Sequence, residues 1–137
     1  MLEIKSELYR GLTYPWGRAI NPAPGEPVQI AEGVYWVRFP MPMSLDHINL
    51  WLLEDGEGWT VVDTCLNLAS ARDIWEQLFG SIMRGRPITR VICTHLHPYH
   101  VGLAGWLTQR FDAELWMSRE EFLMCRAMAA DTGREAP

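Results

Sequence analysis

The sequence predicts an α/β fold in one domain. Short, strand-like apolar segments run from Val28 to Asp63, the periodicity then becomes helical, and a further strand pattern follows at residues 89–93. The order strand, helix, strand is typical of a crossover unit that joins parallel neighbours in one sheet. A chain of 137 residues is long enough for one domain with its own core and too short for two.

Composition and charge are those of an ordinary globular protein, with 48% hydrophobic and 21% charged residues. The net charge of −5 and the lack of a basic stripe argue against a nucleic-acid partner. Three widely spaced cysteines do not form a disulfide framework and indicate a reducing compartment. Because the amino terminus has no apolar signal region and no segment reaches the length of a membrane span, we expect a cytoplasmic protein without a membrane partner.

Residues 1–27 are predicted to form an extended arm that lies on the main domain, which covers residues 28–130. Prolines within the arm break any regular pattern. Tyr14 and Trp16 either anchor the arm by packing or line a substrate cleft, and packing is favoured because surface arms more often use aromatic residues as anchors. Residues 131–137 are predicted to be a frayed tail.

The first part of the main domain has the pattern of paired strands. Strands are predicted at residues 28–30 and 34–39 around one turn. Apolar runs at 48–53 and 59–63 flank the turn Asp-Gly-Glu-Gly at 55–58, and this hairpin is the strongest local prediction in the chain.

A helix is predicted after Asp63, with Ser70 as its cap and Asp73 at the capping-box position. Its apolar positions recur at helical spacing, and they are Ala71, Ile74, Trp75, Leu78 and Ile82. Gly-Arg-Pro at 85–87 ends this helix, and the strand at 89–93 follows.

The last third of the main domain is predicted to continue with a helix beyond Gly102 and a short strand at 113–117. Ser118 and Glu121 form a capping box that opens a final helix. The methionine-rich face of that helix is expected to belong to the core, and it consists of Phe122, Met124, Cys125 and Met128.

Three of the four histidines fall within six residues, in the sequence Thr-His-Leu-His-Pro-Tyr-His-Val-Gly at 94–102. The cluster follows an apolar strand, and α/β proteins place their chemistry at the carboxyl ends of such strands. In an extended backbone His95 and His97 point the same way, and converging imidazoles suit a borderline-soft cation such as zinc. The alternative is a polar loop with surface histidines. A zinc finger is disfavoured because no Cys-x-x-Cys pair is present.

The stretch at 94–102 resembles the signature of the metallo-β-lactamase superfamily, Thr-His-x-His-x-Asp-His-x-Gly, at every fixed position except Tyr99, which replaces the aspartate. The sequence Val-Val-Asp-Thr-Cys at 61–65 resembles the strand of that family that ends in Asp-Thr-Gly, with Cys65 in place of glycine. The two motifs together are far more specific than either alone, and the resemblance covers about residues 28–124.

The resemblance implies an αββα sandwich of two similar halves with a one- or two-metal site between the sheets, of which this chain carries only the first αβ half. It also implies hydrolysis of a small-molecule ester, thioester, lactone, lactam or phosphodiester by a metal-bound hydroxide. In the family pattern His95 and His97 bind the first metal and His100 binds the second. Asp63 would be a buried carboxylate that supports the ligand loop (residues 94–100), the alternative being a plain turn residue.

Two departures from the family pattern weaken the predicted activity. Tyr99 supplies a neutral phenol, with an ordinary pKa of about 10, so a second metal should be weak or absent. No histidine follows His100, so the downstream ligands of the family are missing. We therefore expect one zinc ion per chain or fewer, held by His95, His97 and His100 together.

These departures leave two hypotheses for the function. The first is a zinc-dependent hydrolase of the family that is impaired in this chain. The second is a catalytically silent fragment or remnant of the fold that acts as a metal-binding or assembly module. No catalytic residue is assigned from the sequence.

Two further side chains near the motifs have alternative interpretations. Cys65 is either a thiolate ligand or, as buried cysteines more often are, a small hydrophobe. His47 is either a residue on the lip of the metal cleft or a histidine satisfied locally by Asp46, and the local partner is favoured. His47 is not part of the predicted metal set.

A half sandwich has helices on one face of its sheet only. The other face, rich in valine, leucine and tryptophan, would be an apolar patch too large for a soluble monomer. We expect a homodimer, or another partner, to cover this face. An isologous dimer would bring two sets of three histidines toward one cleft.

Overall fold

The computed structural model describes residues 6–15, 17–18 and 21–131 of the chain. Within these ranges eight strands form two sheets, and the larger sheet has the order β3-β4-β5-β6-β7-β8. The strands are β1 (Glu7–Tyr9), β2 (Leu12–Tyr14), β3 (Val28–Ala31), β4 (Val34–Pro40), β5 (His47–Asp55), β6 (Gly58–Val62), β7 (Ile88–Ile92) and β8 (Glu114–Trp116). Pairing in the larger sheet is antiparallel from β3 to β6 and parallel from β6 to β8.

Four helices accompany these strands in the described part of the chain. They are α1 (Ala69–Gly80), α2 (Pro98–Val101), α3 (Ala104–Phe111) and α4 (Arg119–Ala130). Because α1 connects β6 to its parallel neighbour β7, the predicted crossover unit is confirmed. None of these helices has the length and apolar composition that crossing a membrane requires.

The hydrophobic core lies on one face of the larger sheet. Val37 faces Leu50 and Phe39 faces Ile48 across β4 and β5, and all four side chains are buried. The ring of Trp75 on α1 packs against Phe39, with 5.3 Å between the centroids. The predicted apolar face of α1 is largely confirmed, since its buried residues are Ala71, Ile74, Trp75 and Leu78.

The opposite face of the sheet is only partly covered. Cross-strand register places one row of apolar side chains across five strands, namely Trp36, Trp51, Val62, Ile92 and Trp116, which we call the open row. Trp116 at the edge is 50% exposed, and the other four are half-buried. The described chain is therefore a sheet with helices on one face, which agrees with the predicted half of an αββα sandwich.

Two details of the helices differ from the sequence prediction. The cap of α1 is Leu68 rather than Ser70, and no side chain bonds to the first turn. The backbone N–H of Arg72 already donates to the carbonyl of Leu68 over 3.1 Å, so the helix begins before Ser70. In α4, Ser118 caps the helix as predicted, but the expected core face is wrong, because no residue of α4 is buried. Phe122 and Cys125 line a cavity of about 190 Å³ with Ala104 and Leu115 rather than a closed core, and Met128 is 59% exposed.

Part of the predicted arm forms a small hairpin of β1 and β2. Tyr14 and Pro15, at the end of this hairpin, line a cavity of about 270 Å³ together with Trp36 and Trp51. The arm therefore faces one end of the open row, an arrangement that fits both interpretations of Tyr14, the packing anchor and the cleft-lining residue. Trp16 and nearly all of the predicted tail lie outside the described residues.

Candidate metal centre

The two sequence motifs meet at the carboxyl ends of β6 and β7. Val62 and Ile92 are register partners in this parallel pair, and the backbone N–H of Asp63 donates to the carbonyl of Ile92 over 2.8 Å. The chain then leaves both strands on the same edge of the sheet. This arrangement brings Asp63 next to the ligand loop, although 31 residues separate it from Thr94.

Thr64 fastens the two motifs together. Its backbone N–H and its hydroxyl both donate to the carbonyl of His100, each over 2.8 Å. The hydroxyl oxygen accepts the N–H of Leu103 at 3.0 Å, and the Thr64 carbonyl accepts the indole N–H of Trp75 at 3.0 Å. Since Thr64 is fully buried, loss of any of these bonds would leave a polar group unpaired in the core.

The final glycine of the histidine motif is required by close packing. An ideal Cβ built on Gly102 would lie 2.6 Å from the carbonyl oxygen of Pro98, 2.7 Å from that of Cys65 and 2.8 Å from the nitrogen of Asn67. These are backbone atoms, which cannot rotate away. Gly102 therefore lets the loop after β6 lie directly against the histidine motif.

The carboxylate of Asp63 is 4% exposed and accepts hydrogen bonds from the ligand loop. The backbone N–H of Thr94 donates to Oδ1 at 2.8 Å, the Thr94 hydroxyl donates to Oδ2 at 2.9 Å, and Nδ1 of His100 lies 2.7 Å from Oδ2. Because an ionised carboxylate only accepts, Nδ1 of His100 must carry the proton. In the neutral imidazole, Nε2 of His100 then has a lone pair for a metal.

The same carboxylate sets the tautomer of His95 through Thr94. The hydroxyl of Thr94 has one proton, which it donates to Asp63, so its oxygen accepts the proton on Nδ1 of His95, 2.8 Å away. Nε2 of His95 therefore also has a lone pair. Asp63 thus sets the protonation of two of the three predicted metal ligands.

The imidazoles of His95 and His97 converge as two ligands of one ion would. Nε2 of His95 lies 3.1 Å from Nδ1 of His97. Two nitrogens at about 2.0–2.1 Å from one tetrahedral zinc ion would be about 3.4 Å apart, whereas 3.1 Å is the length of a hydrogen bond between the two rings. The ring of His100 lies 3.9 Å from that of His95 between centroids. Among the described residues, however, no three His, Cys, Asp or Glu side chains form a set that could hold a metal ion.

Tyr99 also contacts the histidine pair. Its hydroxyl lies 3.0 Å from Nδ1 of His97, the nitrogen that faces His95. A phenol that donates to this nitrogen competes with a metal for its lone pair. The residue that replaces the aspartate of the motif therefore contacts one candidate ligand at the nitrogen that faces the other.

Glu121 is a residue of this region that the sequence reasoning missed. Its Oε2 accepts the backbone N–H of Leu96, which lies between His95 and His97, over 2.7 Å. The sequence assigned Glu121 to the capping box of α4. No local signal distinguishes the two roles, because Leu96 is 25 residues away.

The comparisons with known proteins agree with this geometry. The model of the metallo-beta-lactamase superfamily matches residues 43–135. A solved structure described as a beta-lactamase domain protein from Burkholderia ambifaria is 44% identical, with a TM-score of 0.78 over 83% of this chain and 38% of that one. The chain belongs to the metallo-β-lactamase superfamily. No curated protein sequence matches it.

Other superfamily structures have the same fold at lower identity. A metallo-beta-lactamase family protein from Thermus thermophilus is 29% identical, with a TM-score of 0.61 over 69% of this chain and 31% of that one. A metallo-beta-lactamase from Pseudomonas aeruginosa, in a mono-zinc form, is 20% identical, with a TM-score of 0.60 over 79% of this chain and 48% of that one. The chain thus spans less than half of each of these superfamily members.

Cys65, which replaces the glycine of the superfamily motif, is a buried neutral thiol. Its side chain is fully buried, and burial raises the pKa of the thiol to about 11. Its backbone has a φ of 74°, a left-handed conformation that favours glycine. The thiol is therefore protonated near neutral pH, which favours the interpretation of Cys65 as a small hydrophobe over a thiolate ligand.

His47 has the local partner that the sequence suggested. Its Nδ1 contacts the carboxylate of Asp46. The hydrogen bond to His47 holds the pKa of the Asp46 carboxyl below its ordinary value. In the described residues the ring contacts of the histidine cluster do not include His47.

We expect a thiol reagent to modify the native chain at Cys125 only. Thiols react as thiolates, and burial raises the pKa of Cys65 to about 11 and that of Cys93 to about 12, while Cys125 is only half-buried. Titration with a disulfide reagent at pH 7.5 should release one equivalent quickly in buffer and three in denaturant. Cys125→Ser should abolish the fast phase. Fast release of all three in buffer would contradict the buried positions of Cys65 and Cys93.

Proposed function

We propose that the chain is part of a zinc-dependent hydrolase of the metallo-β-lactamase superfamily, in which His95, His97 and His100 hold one zinc ion. The observation that carries this proposal is the 3.1 Å approach of Nε2 of His95 to Nδ1 of His97, beside a third imidazole whose Nδ1 bonds to Asp63 and whose Nε2 is left for a ligand role. A mono-zinc form of a superfamily member with the same fold supports the stoichiometry.

Side chains of this chain orient the ligand imidazoles and determine which ring nitrogen carries the proton. Asp63 keeps a proton on Nδ1 of His100 and, through Thr94, on Nδ1 of His95, so that the opposite nitrogens are free. A bound zinc ion supplies a Lewis acid and a nucleophile near neutral pH. The substrates of this chemistry are esters, thioesters, lactones, lactams or phosphodiesters.

Turnover by this chain alone is proposed to be weak. Tyr99 offers a neutral hydroxyl where the superfamily motif has a carboxylate, and that hydroxyl contacts Nδ1 of His97. Catalytic zinc usually has three protein ligands and one open position. In the described residues only two nitrogens converge, so His100 must turn toward them, or another chain must supply a ligand.

The test of this proposal is the zinc content of the purified chain. We expect about one zinc ion or fewer per chain after zinc is supplied and unbound metal is removed. His97→Ala should lower zinc affinity more than 10-fold, because two imidazoles seldom hold zinc tightly. His47→Ala is the matched control and should bind zinc like the wild type.

Zinc at background level in the wild type would overturn the proposal. Hydrolysis of a panel of thioesters, lactones, lactams and phosphodiesters then separates an active from a silent chain. Turnover of one of them at ordinary enzyme rates would contradict the impaired site and would require a ligand outside the set named above.

The second candidate function is an assembly module, and the open row favours it. The arm lines a cavity at the Trp36 and Trp51 end of this row, whereas at the other end Val62 and Ile92 are half-buried and Trp116 is 50% exposed, with the guanidinium of Arg90 4.0 Å from its ring. We propose that a second copy of the chain covers this end. Arg90 and Glu114 lie in the neighbouring row and pair with each other at 3.7 Å, so the patch carries charges of both signs and does not repel a second copy of itself.

We expect a dimer by light scattering coupled to size-exclusion chromatography at micromolar concentration. Trp116→Glu should shift the chain to a monomer, because it puts a charge into the apolar contact. Leu123→Glu, at a 58% exposed position on α4, is the matched control and should remain dimeric. A wild-type monomer would rule out the second copy.

The cytoplasm is proposed as the location of the chain. Cys65, Cys93 and Cys125 are free thiols. Free thiols without disulfides are typical of a reducing compartment. Labelling of the thiols in intact cells before and after reduction tests the assignment.

A further inference from the structure

Helix α4 turns a carboxylate toward the ligand loop. Only Glu121 and Cys125 of this helix are half-buried, and they lie one turn apart on its inward side, whereas the rest of α4 is exposed. A carboxylate on the inward side of a helix needs a hydrogen-bond donor to offset the loss of water. The donor is the backbone N–H of Leu96, 2.7 Å from Oε2 of Glu121.

The capping geometry supports a specific role for this carboxylate. Ser118 accepts the backbone N–H of Glu121 at 3.3 Å, which is one half of a capping box. In a complete box the glutamate side chain returns to the N–H of the capping residue. Here the carboxylate of Glu121 instead accepts the Leu96 N–H of the ligand loop, so this side chain stabilises the loop rather than completing the capping box.

We propose that Glu121 is a positioning residue that fixes the distance between His95 and His97 by holding the peptide between them. The proposal rests on the zinc site proposed above. Leu96 is the residue that separates the two imidazoles whose nitrogens lie 3.1 Å apart. A charged acceptor on the Leu96 N–H restricts the backbone dihedrals on either side of that peptide and therefore the directions of both rings.

The contact also couples the ligand loop to α4. None of the residues of α4 is buried, so few apolar contacts hold the helix in place. The loop and the helix are therefore expected to order together. Movement of α4 away from the sheet would release the Leu96 N–H and loosen the histidine pair.

The experiment compares Glu121→Ala, Glu121→Gln and Glu120→Ala in the full chain. Glu120→Ala removes the same charge from the same first turn of α4 and leaves the contact to Leu96 intact, so it controls for the helix dipole. Glu121→Gln keeps an acceptor oxygen for the Leu96 N–H and should therefore behave nearly like the wild type. The readouts are hydrogen exchange of the Leu96 amide without metal, zinc affinity, and the visible spectrum with cobalt(II) in place of zinc.

For Glu121→Ala we expect at least 10-fold faster exchange at Leu96, about 10-fold weaker zinc binding and an altered cobalt spectrum. Glu120→Ala should match the wild type in all three readouts. Equal exchange of Leu96 in Glu121→Ala and Glu120→Ala would overturn the proposal, as would unchanged zinc affinity and spectrum. If the wild type binds no zinc, the proposed function fails, and Leu96 exchange alone decides whether Glu121 holds the loop.

Discussion

Gly102→Ala should lower the free energy of unfolding by about 3 kcal/mol, at the upper end of the usual range for overpacking, because three backbone atoms crowd the added methyl group. The added Cβ would lie 2.6–2.8 Å from backbone atoms of Pro98, Cys65 and Asn67. Relief would require the loop after β6 to move away from the histidine motif. Since total stability is on the order of 5–15 kcal/mol, this loss is a large part of it.

Urea denaturation measures this effect, and Gly105→Ala is its matched control. Gly105 lies near the start of α3, and a Cβ added there would meet no atom within 4 Å. Alanine is the better helix former, so that variant should gain a few tenths to about 1 kcal/mol. Equal stability of the two variants would mean that the two motifs do not pack as closely as the structure has them.

Asp63→Asn should weaken zinc binding by about 10–100-fold, the usual range for a hydrogen-bonding partner of a ligand histidine. The amide has one acceptor oxygen, whereas the carboxylate accepts from the Thr94 N–H, the Thr94 hydroxyl and Nδ1 of His100. The NH₂ group of the asparagine would point either at the Thr94 N–H or at the Thr94 hydroxyl and Nδ1 of His100, all of which are donors. His95 and His100 would then lose the tautomers that leave their metal-binding nitrogens unprotonated.

Competition with a chromophoric chelator at fixed pH gives the zinc affinities. Asp55→Asn is the control. Asp55 ends β5 and pairs with Gly58 at the start of β6, whereas Asp63 follows the end of β6, and the Asp55 carboxylate accepts hydrogen bonds from Thr60 and Arg90. The Asp55→Asn chain should bind zinc like the wild type. An Asp63→Asn chain with undiminished affinity would show that the ligand loop holds its imidazoles without this carboxylate.

Most of the fold follows from local patterns in the sequence. The turn between β5 and β6 and the 3.6-residue spacing of Ile74, Trp75 and Leu78 are local signals, and the structure agrees with both. The three-residue strands of the arm carry no such alternation, so the sequence did not indicate their hairpin. The core face predicted for α4 failed because periodicity reports an apolar stripe and not what covers it.

The candidate site was only partly predictable for a related reason. The histidines and Asp63 stand in recognisable motifs, whereas the bonds of Thr64 to His100 and Leu103 join residues 36 and 39 positions apart. Such bonds leave no mark in a local pattern. A local rule predicts Ser70 as a cap, but α1 begins after Leu68, whose side chain cannot cap a helix.

The strand order of the larger sheet determines how the chain can assemble. Each strand pairs with the one made just before it, so a nascent chain that has emerged as far as Val62 already contains a four-stranded meander. Pairing between neighbours in sequence closes short loops and is fast. The histidine cluster depends on the later crossover and on contacts over 31–39 residues, so its ligands are ordered after the meander. Local unfolding during the life of the protein should take the reverse course, releasing the ligand loop and α4 while the meander stays intact.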